Sequence, residues 1–335
     1  VKGMDFSFSG ITSAAKAVYD DGTPVEDVCC GLEETIFAML TEVSERALSL
    51  TGADELVLGG GVGQNDRLKE MLEAMCGERG AAFYAPAPEF LRDNAGMIAV
   101  LGAKMHDAGD AISIEESRVR PDFRPDEAAV TWRSGSHTDR PSDTERARGA
   151  EAIVDLDTDE NRAYKRRLSK AYRHPELDRR LRRTRTRSEA RLTSEARRLG
   201  VPTPVVFDVD PPAGLLEFEF VGTSDLGAGM TTARVEDVGR HLARCHEAGF
   251  VHGDPTPRNV RVSADRTWLI DFGLGYYTDD IEDYAMDLHV FEGALGGTAA
   301  DATAMIDAFE DAYEAAGDER VLRQLRSIER RGRYQ

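Results

Sequence analysis

The sequence predicts two units in tandem, an α/β unit followed by a smaller α+β unit. Three observations carry this. Helical periodicity alternates with short apolar segments through residues 1–110. A polar, turn-rich stretch, SGSHTDRPSDTE at 134–145, then breaks the pattern as a linker does. Beyond it come strands, and after residue 232 mostly helices, interrupted by HGDPTPRNV and TWLIDFGL.

In chain order, EDVCCGLEETIFAMLTEVSERALSLTG has helical period and stops near Gly52. ELVLGGGV reads as a short buried strand running into a glycine turn, and QNDRLKEMLEAMCGERG as the next helix. AAFYAPAP is a second strand ended by prolines. NAGMIAVLGAKMHDAG is a helix of small residues suited to close packing, and RVRPDFRPDEAAVTWR an irregular tail. In the second unit GAEAIVDLDTDENRAYKRRL predicts strand, turn and strand, followed by a basic helix over 177–199. TPVVFDVD and GLLEFEFV alternate as strands.

Composition narrows the function classes. Acids number 61 against 42 bases, of which only six are lysine, and the net charge is -19. Hydrated carboxylates and scarce lysine predict a protein adapted to a salty cytoplasm, where salt screens mutual repulsion. Cys29, Cys30, Cys76 and Cys245 form no CxxC pair, which excludes a zinc ribbon or a disulfide scaffold. No apolar run reaches the roughly 18 residues that a membrane span needs. The first residue, Val1, already lies inside a patterned segment, so a preceding part is expected. Residues 162–198 hold 15 bases and four acids, a local basic block in an acidic chain.

The most specific chemistry lies in HGDPTPRN and LIDFG. Phosphoryl transfer needs groups that hold a divalent metal over phosphates and orient the attacking oxygen. Asp254 on a loop can orient a hydroxyl or water. Asn259 and Asp271 offer the hard oxygens that Mg²⁺ prefers. Upstream, Lys165 ends a strand-like segment and Glu189 lies on the basic helix. Paired, they would aim the lysine at phosphates. Arg166 and Arg167 are neighbours, but arginine is a poor substitute for a lysine point charge.

These segments, with YKRRLSKAYRHPELDRRLRRTRTRSEARLTSEARRLGVPTPVVFDVD and the terminal IERRGRY, resemble the protein-kinase-like fold. More closely, they resemble the small atypical kinase subunit of the KEOPS complex. The resemblance covers about 148–335. It implies an ATP site with Lys165 on the phosphates, Glu189 as its partner and Asp254 as catalytic base. It also implies Asn259 and Asp271 on Mg²⁺, with RGAEA, containing Gly149, in place of a glycine-rich phosphate loop. Pro255 and Pro257 depart from the family's usual Leu and Thr. No extended activation segment follows Asp271. Arg179, Arg180, Arg182, Arg183, Arg185, Arg187 and Arg191 are too many for one ion-pair network, so some are expected to face solvent or tRNA phosphate. Arg330, Arg331 and Arg333 are a second candidate contact.

LVLGGGVGQNDRL runs from strand through glycines into a helix, where backbone amides can meet phosphate. Alone it is neither a P-loop nor a dinucleotide fingerprint. Asp93, just before a helix, reads on its own as an N-cap. Together with MDFSFSG, GGGVGQN, RDNAGMIA and the RPDFRPDE tail, the first unit resembles the C-terminal lobe of the tRNA threonylcarbamoyladenosine transferases of the sugar-kinase/Hsp70-actin (ASKHA) superfamily. Residues 1–133 would be that lobe, 134–145 a linker and 146–335 a bilobal kinase-like domain. The resemblance implies nucleotide contact by Gly60, Gly61, Val62, Gly63 and Asn65. It implies Asp93 as one ligand of a single Fe²⁺ or Zn²⁺ per complete transferase. The family's HxxxH metal histidines have no counterpart in residues 1–133, which contain only His106.

The expected function is that of an archaeal halophile's bifunctional tRNA-modification protein. It would move threonylcarbamoyl from its adenylate to N6 of adenine 37, under control of a kinase-like ATPase. Expected partners are tRNA and further KEOPS subunits: a small dimerising subunit on the transferase and another small subunit on the kinase. A cytoplasmic location and no membrane are expected. The competing readings are a serine/threonine protein kinase with an appended domain, and a non-catalytic assembly module.

Overall fold

Two helices open the chain in this computed structural model: α1 (Ser9–Asp20) and α2 (Val25–Thr51). The structure describes residues 8–91, 95–119, 146–299 and 301–332. The linker at 134–145 and the irregular tail from residue 120 lie outside them. Helix α2 starts with Glu26 and Asp27, which suit the positive end of a helix dipole. Its last four turns bury Phe37, Ala38 and Leu48, and also Thr41, Glu42, Glu45 and Arg46. Buried charge of this kind requires partners. They come from far along the chain, because packing groups Val1–Ser49 with Thr144–Gln335, and Leu50–Asp143 forms a separate unit.

In the unit from Leu50, β1 (Glu55–Val57) pairs in parallel with β2 (Ala82–Tyr84), joined through α3 (Asp66–Arg79). The ends of α3 follow from its sequence. Asn65 Oδ1 accepts from the amides of Arg67 and Leu68, at 2.9 and 3.3 Å, and Gly80 closes the helix. Leu68, Met71, Leu72, Met75 and Cys76 are its buried stripe. The small-residue helix forms as α4 (Ala95–Asp107), but the close packing expected of it is absent among the described residues. Met97, Ile98, Val100 and Leu101 are exposed.

The other unit continues with β3 (Arg146–Arg148), β4 (Ala152–Asp157) and β5 (Arg162–Arg167). Then come α5 (Pro175–Arg198), β6 (Val206–Asp210) and β7 (Leu215–Glu219). The strands form one antiparallel sheet in the order β3-β4-β5-β7-β6. Next are β8 (Ser224–Asp225), α6 (Thr232–Glu247), β9 (Phe250–Val251), β10 (Val260–Val262), β11 (Thr267–Leu269) and β12 (Tyr276–Tyr277). The chain closes with α7 (Ile281–Gly296), α8 (Ala302–Glu314) and α9 (Glu319–Gly332). Strand β10 lies between β11 and β8, and β12 pairs with β9. Helix α6 places Val235, Val238, Leu242 and Cys245 on one helical stripe against Phe309 and Tyr313 of α8. A five-stranded sheet with one long helix, followed by a helical half with short hairpins, is the bilobal arrangement expected of the kinase-like unit. No described helix is long and apolar enough to cross a membrane.

One buried pair on this helical side has a measurable consequence. Glu292 of α7 is only 6% exposed and neighbours Glu310 of α8, which also accepts from Arg326 of α9. Burial, reinforced by the Glu310 and Glu329 charges and opposed by Arg326, pushes the Glu292 carboxyl up to about 9. The folded state therefore binds a proton that the unfolded chain releases above its ordinary value of 4.5, so stability falls as pH rises from there toward 9. Glu292→Gln, which mimics the protonated acid, should raise the Tm above wild type at pH 8 and change it little at pH 5. Equal Tm values for variant and wild type at pH 8 would refute the shared proton.

Candidate nucleotide and phosphoryl-transfer site

Alternation along β5 sets the site. Ala163, Lys165 and Arg167 share one face of the strand, while Tyr164 and Arg166 are exposed on the other. Lys165 Nζ lies 2.7 Å from Glu189 Oε1 of α5, and Arg167 Nη2 donates to Glu189 Oε2 at 2.5 Å. Glu189 is 1% exposed, and each of its oxygens meets one cation. The lysine also reaches Asp271 Oδ1 at 2.7 Å. Desolvation would raise the Asp271 carboxyl, but the charges of Lys165 and Arg167 prevail and hold it well below the usual range. Asp271 adopts φ +64°, a left-handed backbone that Asp tolerates better than bulkier residues. Arg167, an alternative to Lys165 in the sequence, is instead its companion on Glu189.

The HGDPTPRN loop is held from behind by α7. Asp287 accepts from the amides of His252 (2.6 Å) and Gly253 (2.9 Å), and its carboxylate also meets His246 Nε2 at 3.2 Å. Gly253 has φ +86°, and a Cβ there would lie 2.3 Å from the Leu274 carbonyl, so no side chain fits. His252 Nε2 meets the Ile270 carbonyl at 3.0 Å, tying this loop to the LIDFG loop. Asn259 Nδ2 donates to the Asp254 carbonyl at 2.8 Å and to its Oδ2 at 3.2 Å. Burial raises the Asp254 carboxyl above its ordinary value, against the charges of Arg46 and His252. Nothing local in HGDPTPRN announces Asp287 or Arg46; both come from helices elsewhere in the chain.

The donor set fits Mg²⁺. With Nδ2 committed to Asp254, Asn259 keeps its Oδ1 carbonyl oxygen for a cation, and Asp271 adds an ionised carboxylate. Beside them lies a cleft of about 270 Å³. Val154, Leu156, Ala163 and Phe218 line it from the five-stranded sheet, and Arg261 and Ile270 from the β10–β11 side. Lys165, Glu189 and Asp271 line the same cleft. An apolar cleft with a few convergent charges is the ordinary form of a small-ligand site.

Gly149 sits in the exposed turn between β3 and β4, and its amide donates to the Ala152 carbonyl at 3.0 Å. The next residues tie this turn down. Lys170 Nζ donates to the Ala150 carbonyl, and Glu151 receives Arg173 and Arg185, both at 2.8 Å. The same two arginines reach Glu42 of α2, at 2.7 and 2.9 Å, and Lys170 pairs with Glu45. So Arg182, which pairs with Asp178, and Arg185 serve the interior. Arg180, Arg183 and Arg187 are exposed at helical spacing and form no ion pair among the described residues. Arg179 pairs with Glu176, and Arg191 lies over the Tyr277 ring.

In the other unit Gly60 precedes a 3₁₀ turn, Gly61–Gln64, with φ +87°. Gly61 faces open space and Val62 is 65% exposed. Gly63 is buried against Leu58 and Leu91. The Asn65 side chain caps α3. Asp93 and Arg333 lie outside the described residues. Among the described residues no group of three or more His, Cys, Asp or Glu is placed to hold a metal.

Residues 1–100 match the family of TsaD, tRNA N6-adenosine threonylcarbamoyltransferase. The whole chain is 74% identical to a protein of Natronomonas pharaonis, over 63% of that protein's length. It is 66% identical to one of Halobacterium salinarum, over 63%, and 47% identical to one of Methanospirillum hungatei, over 64%. Each is named "Probable bifunctional tRNA threonylcarbamoyladenosine biosynthesis protein". The chain thus spans somewhat under two thirds of the length of these relatives.

Proposed function

We propose that this chain, a homologue from end to end of archaeal bifunctional tRNA threonylcarbamoyladenosine biosynthesis proteins, works in that modification as a transferase lobe joined to a nucleotide-hydrolysing kinase-like unit. The observation that carries the second half is the Lys165–Glu189–Asp271 ion chain beside Asp254 and Asn259. Lys165 would hold ATP phosphates, and Asp271 and Asn259 would hold Mg²⁺. When bound, Mg²⁺ neutralises phosphate charge. Asp254 would orient the attacking water or hydroxyl. Only nine residues separate Asp271 from α7, which leaves little room for a protein-substrate platform and favours hydrolysis.

Residues 1–133 are read as the C-terminal lobe of an ASKHA-type transferase, 134–145 as a linker and 146–335 as the kinase-like domain. Gly60–Asn65 would contact nucleotide, and Asp93 would supply one ligand of an Fe²⁺ or Zn²⁺ ion in the complete transferase. The whole protein would transfer threonylcarbamoyl to N6 of adenine 37. It would do so in a cytoplasmic, salt-adapted complex with a small dimerising subunit and a second small subunit on the kinase side. Arg180, Arg183 and Arg187 are the proposed tRNA phosphate contacts.

ATP hydrolysis by the full chain, with and without tRNA, tests this reading. Hydrolysis should rise with tRNA. Replacing the three arginines by Ala should abolish most of that rise. It should also lower the slope of log affinity against log salt by about 3, with the Tm unchanged. Protein phosphorylation without any response to tRNA would replace this reading with that of a serine/threonine kinase.

A further inference from the structure

Four charges share one group beside the cleft: Lys165 and Arg167 from β5, Glu189 from α5 and Asp271 from the LIDFG loop. Phosphoryl transfer asks for three of them, and Arg167 is the fourth. It is 3% exposed, and Glu189 is 1% exposed. Its Nη2 donates to Glu189 Oε2 at 2.5 Å, whereas Nη1 lies 3.7 Å from Glu151. Glu151 has closer cations in Arg173 and Arg185, both at 2.8 Å. Nε of Arg167 has no hydrogen-bond partner among the described residues. The charge of Arg167 is therefore directed mainly at Glu189. Backbone on both sides keeps it there. Its amide donates to the Gly214 carbonyl at 2.9 Å. A Cβ on Gly273 would lie 2.3 Å from Nη2, so the guanidinium rests directly against the LIDFG backbone.

The group balances as it stands, two cations against two carboxylates. Lys165 serves both carboxylates, with Glu189 and Asp271 each at 2.7 Å. With nucleotide bound, Asp271 would face Mg²⁺ and Lys165 the phosphates. Glu189 then needs a cation that stays, because an ionised carboxylate out of water is costly without one. If Lys165 were its only cation, that attraction would hold the lysine back from the phosphates. Arginine suits the resident role, since it is always charged and its planar fork matches a carboxylate.

Resting on the phosphoryl-transfer reading of this site, we infer that Arg167 is a positioning residue: the permanent counterion of Glu189, which leaves the Lys165 ammonium free for nucleotide phosphates. Arg167 meets no part of the nucleotide. Its effect on phosphate binding passes through the Glu189 charge alone.

Equilibrium binding of Mg²⁺-ADP and of adenosine to the full chain tests this. Arg167→Gln should weaken Mg²⁺-ADP by about ten- to a hundredfold and leave adenosine unchanged. Arg167→Lys keeps the charge and should stay within about threefold of wild type. Glu189→Gln removes the charge that Arg167 neutralises, so adding Arg167→Gln to it should cost no further Mg²⁺-ADP affinity. This double variant removes one charge of each sign and strands neither, so it decides the matter even where Arg167→Gln alone does not fold. A further loss in the double variant, or an equal loss for adenosine, would overturn the assignment and leave Arg167 a purely structural residue. Failure of the wild-type chain to bind Mg²⁺-ADP at all would instead sink the phosphoryl-transfer reading.

Discussion

Asp254→Asn is expected to lower ATP turnover by about two to four orders of magnitude while leaving the folded chain at least as stable as wild type. The two halves of this result have one cause. Burial raises the Asp254 carboxyl, so at neutral pH the ionised form carries an unrepaid desolvation cost. That cost is absent below the ordinary carboxylate range and grows as pH rises through the folded value. Asn is neutral and nearly isosteric, and its Oδ1 can still accept from Asn259. The Tm difference should favour the variant at pH 8 and vanish near pH 4. Steady-state hydrolysis and calorimetry on the same preparations check both halves. Lost activity with a lowered Tm would mean that Asp254 serves the fold instead. A gain in stability on loss of function is the behaviour of a group kept for chemistry.

Much of this site is legible in the sequence because its parts are local. Asp254 and Asn259 are bonded within one loop, and Asp271 follows a short strand. Period-2 alternation in RAYKRR also contains Arg167: a residue two beyond Lys165 must share its face, and the reading of arginine as a substitute for lysine hid that. Other parts have no local signal. Glu42, Glu45 and Arg46 lie in a helix whose periodicity does not show that they are buried, and the partners of the two glutamates outside it, Arg173, Arg185 and Lys170, are more than 100 residues away. Asp287 acts through backbone amides, which no side-chain pattern reveals. The basic block shows the same limit. Its surplus says that some arginines face outward but not which, and Arg167, Arg173, Arg182 and Arg185 are consumed by buried carboxylates, leaving a narrower outward stripe. In the first 110 residues the helix ends are legible from Asn65 and Gly80, whereas the exposure of α4 depends on which surfaces lie beside it.

The buried ion network sets the second large effect. Glu42, 4% exposed, receives Arg46 at 2.5 Å, Arg173 at 2.7 Å and Arg185 at 2.9 Å. Burial and the Glu151 charge push its carboxyl up, but the three arginines prevail and lower it. Glu42→Gln would leave three cations around a neutral amide, with Glu151 to balance Arg173 and Arg185 and Asp178 at 3.6 Å from Arg173. Stranding buried charge in this way costs about 3–5 kcal/mol, and unfolding by denaturant at neutral pH should read that loss. Because the groups are out of water, the loss should be similar in low and high KCl. A surface pair would instead fade with salt and contribute under about 1 kcal/mol. Depressed carboxyls stabilise above their ordinary value and lose that contribution as pH falls through the folded one. The variant should therefore show a shallower acid limb than wild type. Adding Arg185→Gln removes one stranded cation, so the double variant should lose less than the sum of the singles, by about 0.5–3 kcal/mol. Additive losses would show that Glu42 and Arg185 act independently, and that the docking of α2 rests on its apolar residues Phe37, Ala38 and Leu48.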